Sequence, residues 1–301
     1  MKRDAGKRVR IMHRHPFDHR RLWISAFALA LAFLPVAVSA EVFWSVTDDN
    51  GRRNWLLGTM HSEDPRLLEW PKPLVEALGK ADRIALELVP DGRMLERLQQ
   101  AMVSERSLDD VLDPELHRQV VTILTDKYGL TRSAVNRLKP WAVALTLATP
   151  PPETGMYMDL MISYRAQGAG LDVMALETVD EQIDFLAGLP LEDQLSLIRE
   201  TVDDHDDHAA VFEQLVAAYL DGDLERLDRL AEEQMAGLDG RIVRYFNEQG
   251  LAARNRRMLE RAESWLEAGG LIIAVGALHL HGEDGLVELL RERGWQVEGI
   301  Y

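Results

Sequence analysis

Two short stretches of the chain place a histidine just beyond an apolar run. Trp55-Leu56-Leu57-Gly58-Thr59-Met60-His61 is one, and residues 271–282, Leu-Ile-Ile-Ala-Val-Gly-Ala-Leu-His-Leu-His-Gly, are the other. Each reads as apolar run, glycine, two residues, histidine, which marks His61 and His279. Between them the tripeptide Ala-Leu-Glu occurs twice, ending at Glu87 and Glu177. Two imidazoles and two carboxylates are the donor types that suit a borderline divalent ion such as zinc, manganese or iron. An ion with an open position lowers the pKa of its bound water to about 7 in favourable cases, which supplies a hydrolytic nucleophile. A glutamate outside the coordination shell would then act as general base. The bland alternative for each histidine is a hydrogen-bonded core or loop residue.

The elements around these residues set whether they can meet. An apolar run closed by glycine reads as a buried strand, with a short buried helix as the alternative. The glycine allows a sharp turn or the close approach of a ligand. Residues 41–47 alternate and are aromatic-rich. Asp48-Asp49-Asn50-Gly51 is a turn signal, so residues 53–57 read as the second strand of a hairpin. Residues 83–89 and 171–178 read as further strands. Glu87 is a charge within an apolar run, so it belongs at the sheet's working edge or beside a cation. Residues 71–80, 94–103, 114–128, 133–148 (interrupted at Pro140-Trp141) and 156–167 read as helices, with Ser107, Asp113 and Thr131 as N-caps. A long helical region covers about 180–268. A helix over 285–294 and a strand over 295–301 close the chain. Strands separated by helical blocks imply α/β architecture with a mainly parallel central sheet. In such sheets ligands bind beyond the carboxyl ends of the strands. The long stretches at about 92–148 and 180–268 read as helical insertions capping that edge.

Other chemistry-bearing residues are fewer. Arg254-Asn255 would suit an anionic substrate group, because arginine offers a forked donor set; a surface arginine with a packed stem is the alternative. Residues 203–208, Asp-Asp-His-Asp-Asp-His, put two histidines three apart, as a metal site or as a solvated acidic face. Asp91 and Asp159 read as ordinary turn or helix residues. No Gly-x-Ser-x-Gly elbow, Walker loop or dinucleotide glycine loop occurs.

Charge and composition exclude several classes. The net charge of the 301 residues is −16. Residues 1–40 hold eight Lys/Arg and two Asp/Glu, so residues 41–301 carry −22. So acidic a body argues against nucleic acid or an anionic membrane as partner. With no cysteine, disulfides, thiolate zinc sites and cysteine nucleophiles are excluded. The basic start, the apolar run over residues 22–38 and the exit Val38-Ser39-Ala40 compose a signal peptide cut after Ala40, with an uncleaved anchor as the alternative. The expected product is a single domain over 41–301, periplasmic and free of stable membrane insertion.

These same residues resemble the TraB/GumN family, which is related to the TIKI metalloproteases. The resemblance is carried by Leu56-Leu57-Gly58-Thr59-Met60-His61, Ala85-Leu86-Glu87-Leu88, Lys139-Pro140-Trp141, Ala175-Leu176-Glu177-Thr178 with Gln182, Arg254-Asn255, and Ala274-Val275-Gly276-Ala277-Leu278-His279-Leu280 followed by Gly282 and Gly285. It implies the TraB/TIKI/erythromycin-esterase-like α/β fold. It also implies a divalent ion (zinc, manganese, cobalt or iron), with metal or catalytic roles for His61, Glu87 and His279. Glu177 and Arg254 are implied as further site members. The expectation is thus an exported metal-dependent hydrolase acting on peptides in preference to esters. The alternatives are a periplasmic protein that binds or sequesters a peptide or small ligand without turnover, and an envelope scaffold with relict site residues.

Overall fold

A computed structural model describes residues 41–203 and 208–301. The expected signal peptide, and all but the two ends of the acidic His-Asp stretch at 203–208, lie outside the described residues. Six strands form one sheet: β1 Phe43–Thr47, β2 Arg53–Thr59, β3 Arg83–Leu86, β4 Asp172–Ala175, β5 Leu271–Gly276 and β6 Gln296–Gly299. Their spatial order is β4-β3-β5-β2-β1-β6. The first four run parallel, and β1 is antiparallel to both β2 and β6. The sheet is therefore mixed, with its antiparallel part confined to one side. The expected hairpin is present, and its turn uses Gly51 at φ 79°.

Burial follows position in the sheet. Central β2 is buried from Asn54 to Thr59, and β5 from Leu271 to Val275. Both faces are covered, which is why these strands read as unbroken apolar runs. Polar Asn54 is tolerated there because it donates to Leu266 O and accepts from Leu271 N–H. Strands β3 and β4 are shorter than their sequence suggests. They stop at Leu86 and Ala175, so Glu87 and Glu177 emerge just past the strand ends.

The helices begin where short polar side chains can cap them. Asp113 accepts from Leu116 N–H, Thr131 from Ala134 N–H, and Thr178 forms a capping box with Glu181. Ser107 caps only a short 3₁₀ turn and makes no side-chain cap bond. The helix expected over 133–148 splits into Arg132–Asn136 and Pro140–Leu147, because Pro140 opens a helix and cannot continue one. The two insertions share an apolar cluster in which Leu116, Val120, Leu124, Val143 and Leu147 meet Ile198. The second insertion closes with a π-helical stretch, Phe246–Ala252, and the helix Ala253–Ala268 that continues it directly. That helix carries Arg254 and Asn255 to the sheet edge. Among the described residues no helix is long and apolar enough to cross a membrane.

Candidate functional site

The strand order sets the four singled-out residues in a row. Along the carboxyl edge stand Glu177 after β4, Glu87 after β3, His279 after β5 and His61 after β2. Neighbouring strands lie about 4.8 Å apart, so the row spans about 14 Å from first strand to last. Adjacent members can touch, and the outer two cannot share one ion.

Three of the four are brought together around Arg254. Its Nε donates to both oxygens of Glu177 at 2.9 and 3.1 Å, and its Nη2 donates to Glu177 Oε2 at 2.5 Å and to Glu87 Oε2 at 2.7 Å. Its Nη1 donates to Gly250 O at 3.3 Å. Gln182 donates to Glu177 at 3.1 Å and to Glu87 at 3.4 Å. Glu177 is 2% exposed. Burial pushes its carboxyl up, but the Arg254 and Gln182 donors outweigh that and hold it below the usual carboxylate value. Burial likewise works against the charge of Arg254, and its two carboxylates more than compensate. The expected role of Arg254 and Asn255 as a substrate clamp meets a structural fact: every nitrogen of Arg254 and both polar atoms of Asn255 are already engaged within the protein.

His279 is almost wholly buried in a 3₁₀ turn that follows β5. Asn255 Nδ2 donates to His279 O at 3.2 Å and to Asp284 O at 2.7 Å, so Asn255 Oδ1 is left as the acceptor facing His279 Nδ1 at 2.6 Å. Two carbonyl partners settle the amide orientation, and with it the tautomer: Nδ1 carries the proton. Burial also pulls the imidazole pKa down, despite the opposing charge of Glu87, so the ring is neutral. Nε2 therefore presents a lone pair. It faces Glu87 Oε1 at 3.8 Å, and that oxygen accepts a hydrogen bond from Gly276 N–H at 2.7 Å. Two acceptors thus face each other with no hydrogen between them.

The glycines of the two motifs make this geometry possible by packing against the chain itself. Neither has a positive φ, so neither position calls for glycine's left-handed freedom. A Cβ on Gly58 would stand 3.2 Å from Ala277 Cα, and one on Gly276 would stand 3.3 Å from Glu87 Oε1. Gly58 O also accepts from the buried Tyr219 hydroxyl at 2.7 Å.

His61 is set differently. Its side chain is 64% exposed, stacked on Tyr157 with centroids 4.1 Å apart and planes 7° from parallel. Its Nδ1 lies 3.5 Å from Asp159 Oδ2, while Asp159 Oδ1 accepts from the Thr59 hydroxyl at 2.6 Å. Asp159, Tyr157, Gln182 and Thr59 were not marked as site residues by spacing. Asp159 sits in the first turn of the helix Met158–Gly168, and only the tertiary fold brings it beside His61.

Whether this donor set fits a divalent ion is decided by its chemistry. Among the described residues no three His, Asp or Glu side chains are close enough to enclose an ion as they stand. The His279–Glu87 pair fits as two ligands, because a neutral, oriented imidazole lone pair faces a carboxylate oxygen. Its second shell fits as well: Asn255 takes the other ring proton, and Arg254 takes the other carboxylate oxygen. His61, mostly exposed, follows the next strand, β2.

A protein named YbaP, described as uncharacterized, is 24% identical over 254 residues in both Shigella flexneri and Escherichia coli K12, covering 82% of this chain and 90% of that protein. The zebrafish (Danio rerio) metalloprotease TIKI2 is 26% identical over 171 residues, which cover 47% of this chain and 32% of TIKI2. No solved structure matches the chain. The model of the TraB/PrgY/gumN family matches residues 42–299, nearly the whole described body, and the chain belongs to that family.

Proposed function

We propose that this protein is an exported, metal-dependent hydrolase that cleaves peptide bonds. The observation that carries the proposal is His279 Nε2 standing 3.8 Å from Glu87 Oε1 while Asn255 engages the other ring nitrogen. In this reading His279 and Glu87 hold the ion, and His61 is the third ligand. The ion would polarise a water, bringing its pKa to about 7, and so supply the nucleophile. Arg254 and Gln182 hold Glu87 in place, with Glu177 as the buried counter-charge that keeps Arg254 there. Asn255 keeps the ring of His279 in the tautomer an ion requires. The preference for peptides over esters leans on the likeness to TIKI2, whose name describes a metalloprotease. Export leans on the basic and apolar segments of residues 1–40.

The experiment is titration of the purified, chelator-treated protein with zinc, manganese, cobalt and iron(II), followed by peptide and ester turnover with the tightest ion. The expected result is one site per chain, lost in His279→Ala, with peptide cleavage that needs the ion. A protein that binds none of these ions and turns over neither substrate class removes the proposal. Cell fractionation with N-terminal sequencing tests export, and a mature chain beginning at Glu41 is expected.

A further inference from the structure

We propose that Asp159 is the positioning residue for His61, fixing its ring with Nδ1–H toward the carboxylate and leaving the lone pair on Nε2. Two contacts of Asp159 point to this. Thr59 Oγ1 donates to Oδ1 at 2.6 Å, which anchors the carboxylate to the end of β2 and turns Oδ2 toward His61 Nδ1 at 3.5 Å. Tyr157 sets the plane of the ring by stacking at 4.1 Å. Stacking leaves one freedom, a 180° flip of the ring about Cβ–Cγ that exchanges its two edges, and Asp159 removes it. The backbone holds both segments in register, since Met158 N–H donates to Ser62 O at 3.0 Å. Residues 157–159 thus form a bracket around His61 at the start of the helix Met158–Gly168.

The bracket mirrors the one around His279, where Asn255 accepts from Nδ1 and frees Nε2. The two histidines are held by different chemistry. A neutral amide serves the buried ring, and a carboxylate serves the exposed one, where solvent competes and a charged acceptor is the stronger partner. A distance of 3.5 Å is long for a hydrogen bond, and contacts of this kind tighten when a ligand draws on the opposite nitrogen. The relevance of Nε2 to chemistry rests on the hydrolase reading; the tautomer itself does not.

The test is a long-range ¹H–¹⁵N correlation spectrum of the histidine rings in the chelated, ¹⁵N-labelled full chain at pH 8. Wild type is expected to show His61 as the Nδ1–H tautomer. Asp159→Leu should move it to the Nε2–H form that a free histidine side chain prefers, and Asp159→Asn should restore Nδ1–H, its Nδ2 donating to Thr59 Oγ1 so that its oxygen faces the ring. His279 should keep its Nδ1–H form in all three, which shows the edge is intact. Affinity for the ion should fall about 10–100-fold in Asp159→Leu and recover in Asp159→Asn. An Nε2–H His61 in wild type, or a tautomer unmoved by Asp159→Leu, overturns the assignment. If Asp159→Leu does not fold, the wild-type spectrum and Thr59→Val decide, the latter expected to loosen Asp159 and mix the tautomers. Loss of turnover and metal binding in an otherwise correctly tautomeric wild type would instead remove the hydrolase reading and leave Asp159 its role.

Discussion

Replacing Arg254 by methionine leaves the buried Glu177 carboxylate with one neutral donor, Gln182 at 3.1 Å, in place of three contacts from the guanidinium. Breaking one side of a buried ion pair costs about 3–5 kcal/mol, against a total of about 5–15 kcal/mol for an ordinary domain. Glu87 adds little to that loss, because it is a quarter exposed and keeps the Gly276 N–H. Arg254→Met should therefore lose about 3–5 kcal/mol in urea or guanidinium unfolding at pH 7. Removing both charges, in Glu177→Leu/Arg254→Met, should recover much of it, since an apolar pair replaces a salt bridge at little net cost. The pH dependence separates the variants further. In wild type Glu177 titrates below its ordinary value of 4.5, so the unfolded chain binds more protons as the pH drops past that value. Stability from this group is present above that pH and is lost below it. In Arg254→Met only burial and Gln182 remain, and burial raises the carboxyl. The folded protein then binds the extra proton, and stability from Glu177 should rise as the pH falls from 7 toward 5. Opposite slopes are the signature. An Arg254→Met protein within about 1 kcal/mol of wild type, with an unchanged slope, would show that Arg254 does not hold these acids together.

Three further substitutions probe the same edge. Gly58→Ala forces a methyl to 3.2 Å from the Ala277 backbone and should cost about 1–3 kcal/mol in chemical denaturation. Asn255→Ala orphans the buried Nδ1–H of His279 and two carbonyls; it should lower metal affinity about 10–100-fold by calorimetry and stability by about 1–3 kcal/mol. Glu63 accepts from Glu153 N–H, Thr154 N–H, the Thr154 hydroxyl and Gly155 N–H. Glu63→Ala should free that loop, and limited proteolysis should cut within residues 150–157 several times faster than in wild type.

The parts of this fold legible in the sequence were those with local causes. The hairpin followed from Asp48-Asp49-Asn50-Gly51, and the caps at Asp113 and Thr131 from a short polar residue before a helical pattern. Central β2 and β5 were legible because burial on both faces writes a continuous apolar run. The short lengths of β3 and β4 were not, since Leu88, Val89 and Leu176 continue the apolar run after pairing has stopped. That difference moves Glu87 and Glu177 from within strands to just beyond them. The site was legible as residue types and as four strand ends, but not as a geometry. Nothing in the spacing of Arg254 shows that its donors are spent on Glu177 and Glu87, from more than seventy positions away. Asp159 read as an ordinary helix residue, because its meaning comes from Thr59, a hundred residues earlier. The glycines were read for turns or ligand approach, and the structure uses them to let strand ends and the turn after β5 close on one another.

Charge explains why the row is ordered as it is. Around Arg254 stand two carboxylates and a neutral His279, so the cluster has a formal charge of −1. Glu177 and one oxygen of Glu87 neutralise the guanidinium; Glu87 Oε1, turned away from Arg254, keeps an acceptor toward His279. A divalent ion there would make the cluster +1, and at an effective dielectric of about 20 two unit charges 4 Å apart interact by about 4 kcal/mol. Arg254 would therefore repel the ion unless Glu177 offset it. The most buried acid thus stands farthest from His61 because its work is to cancel the arginine. Glu177→Gln makes the test: it keeps the shape and removes one negative charge. It should weaken divalent binding at His279 and Glu87 even though Glu177 touches neither the ion nor His279 directly. An affinity equal to wild type in this variant, with the fold intact, would mean that Arg254 is screened by solvent and that the buried pair only holds the edge together.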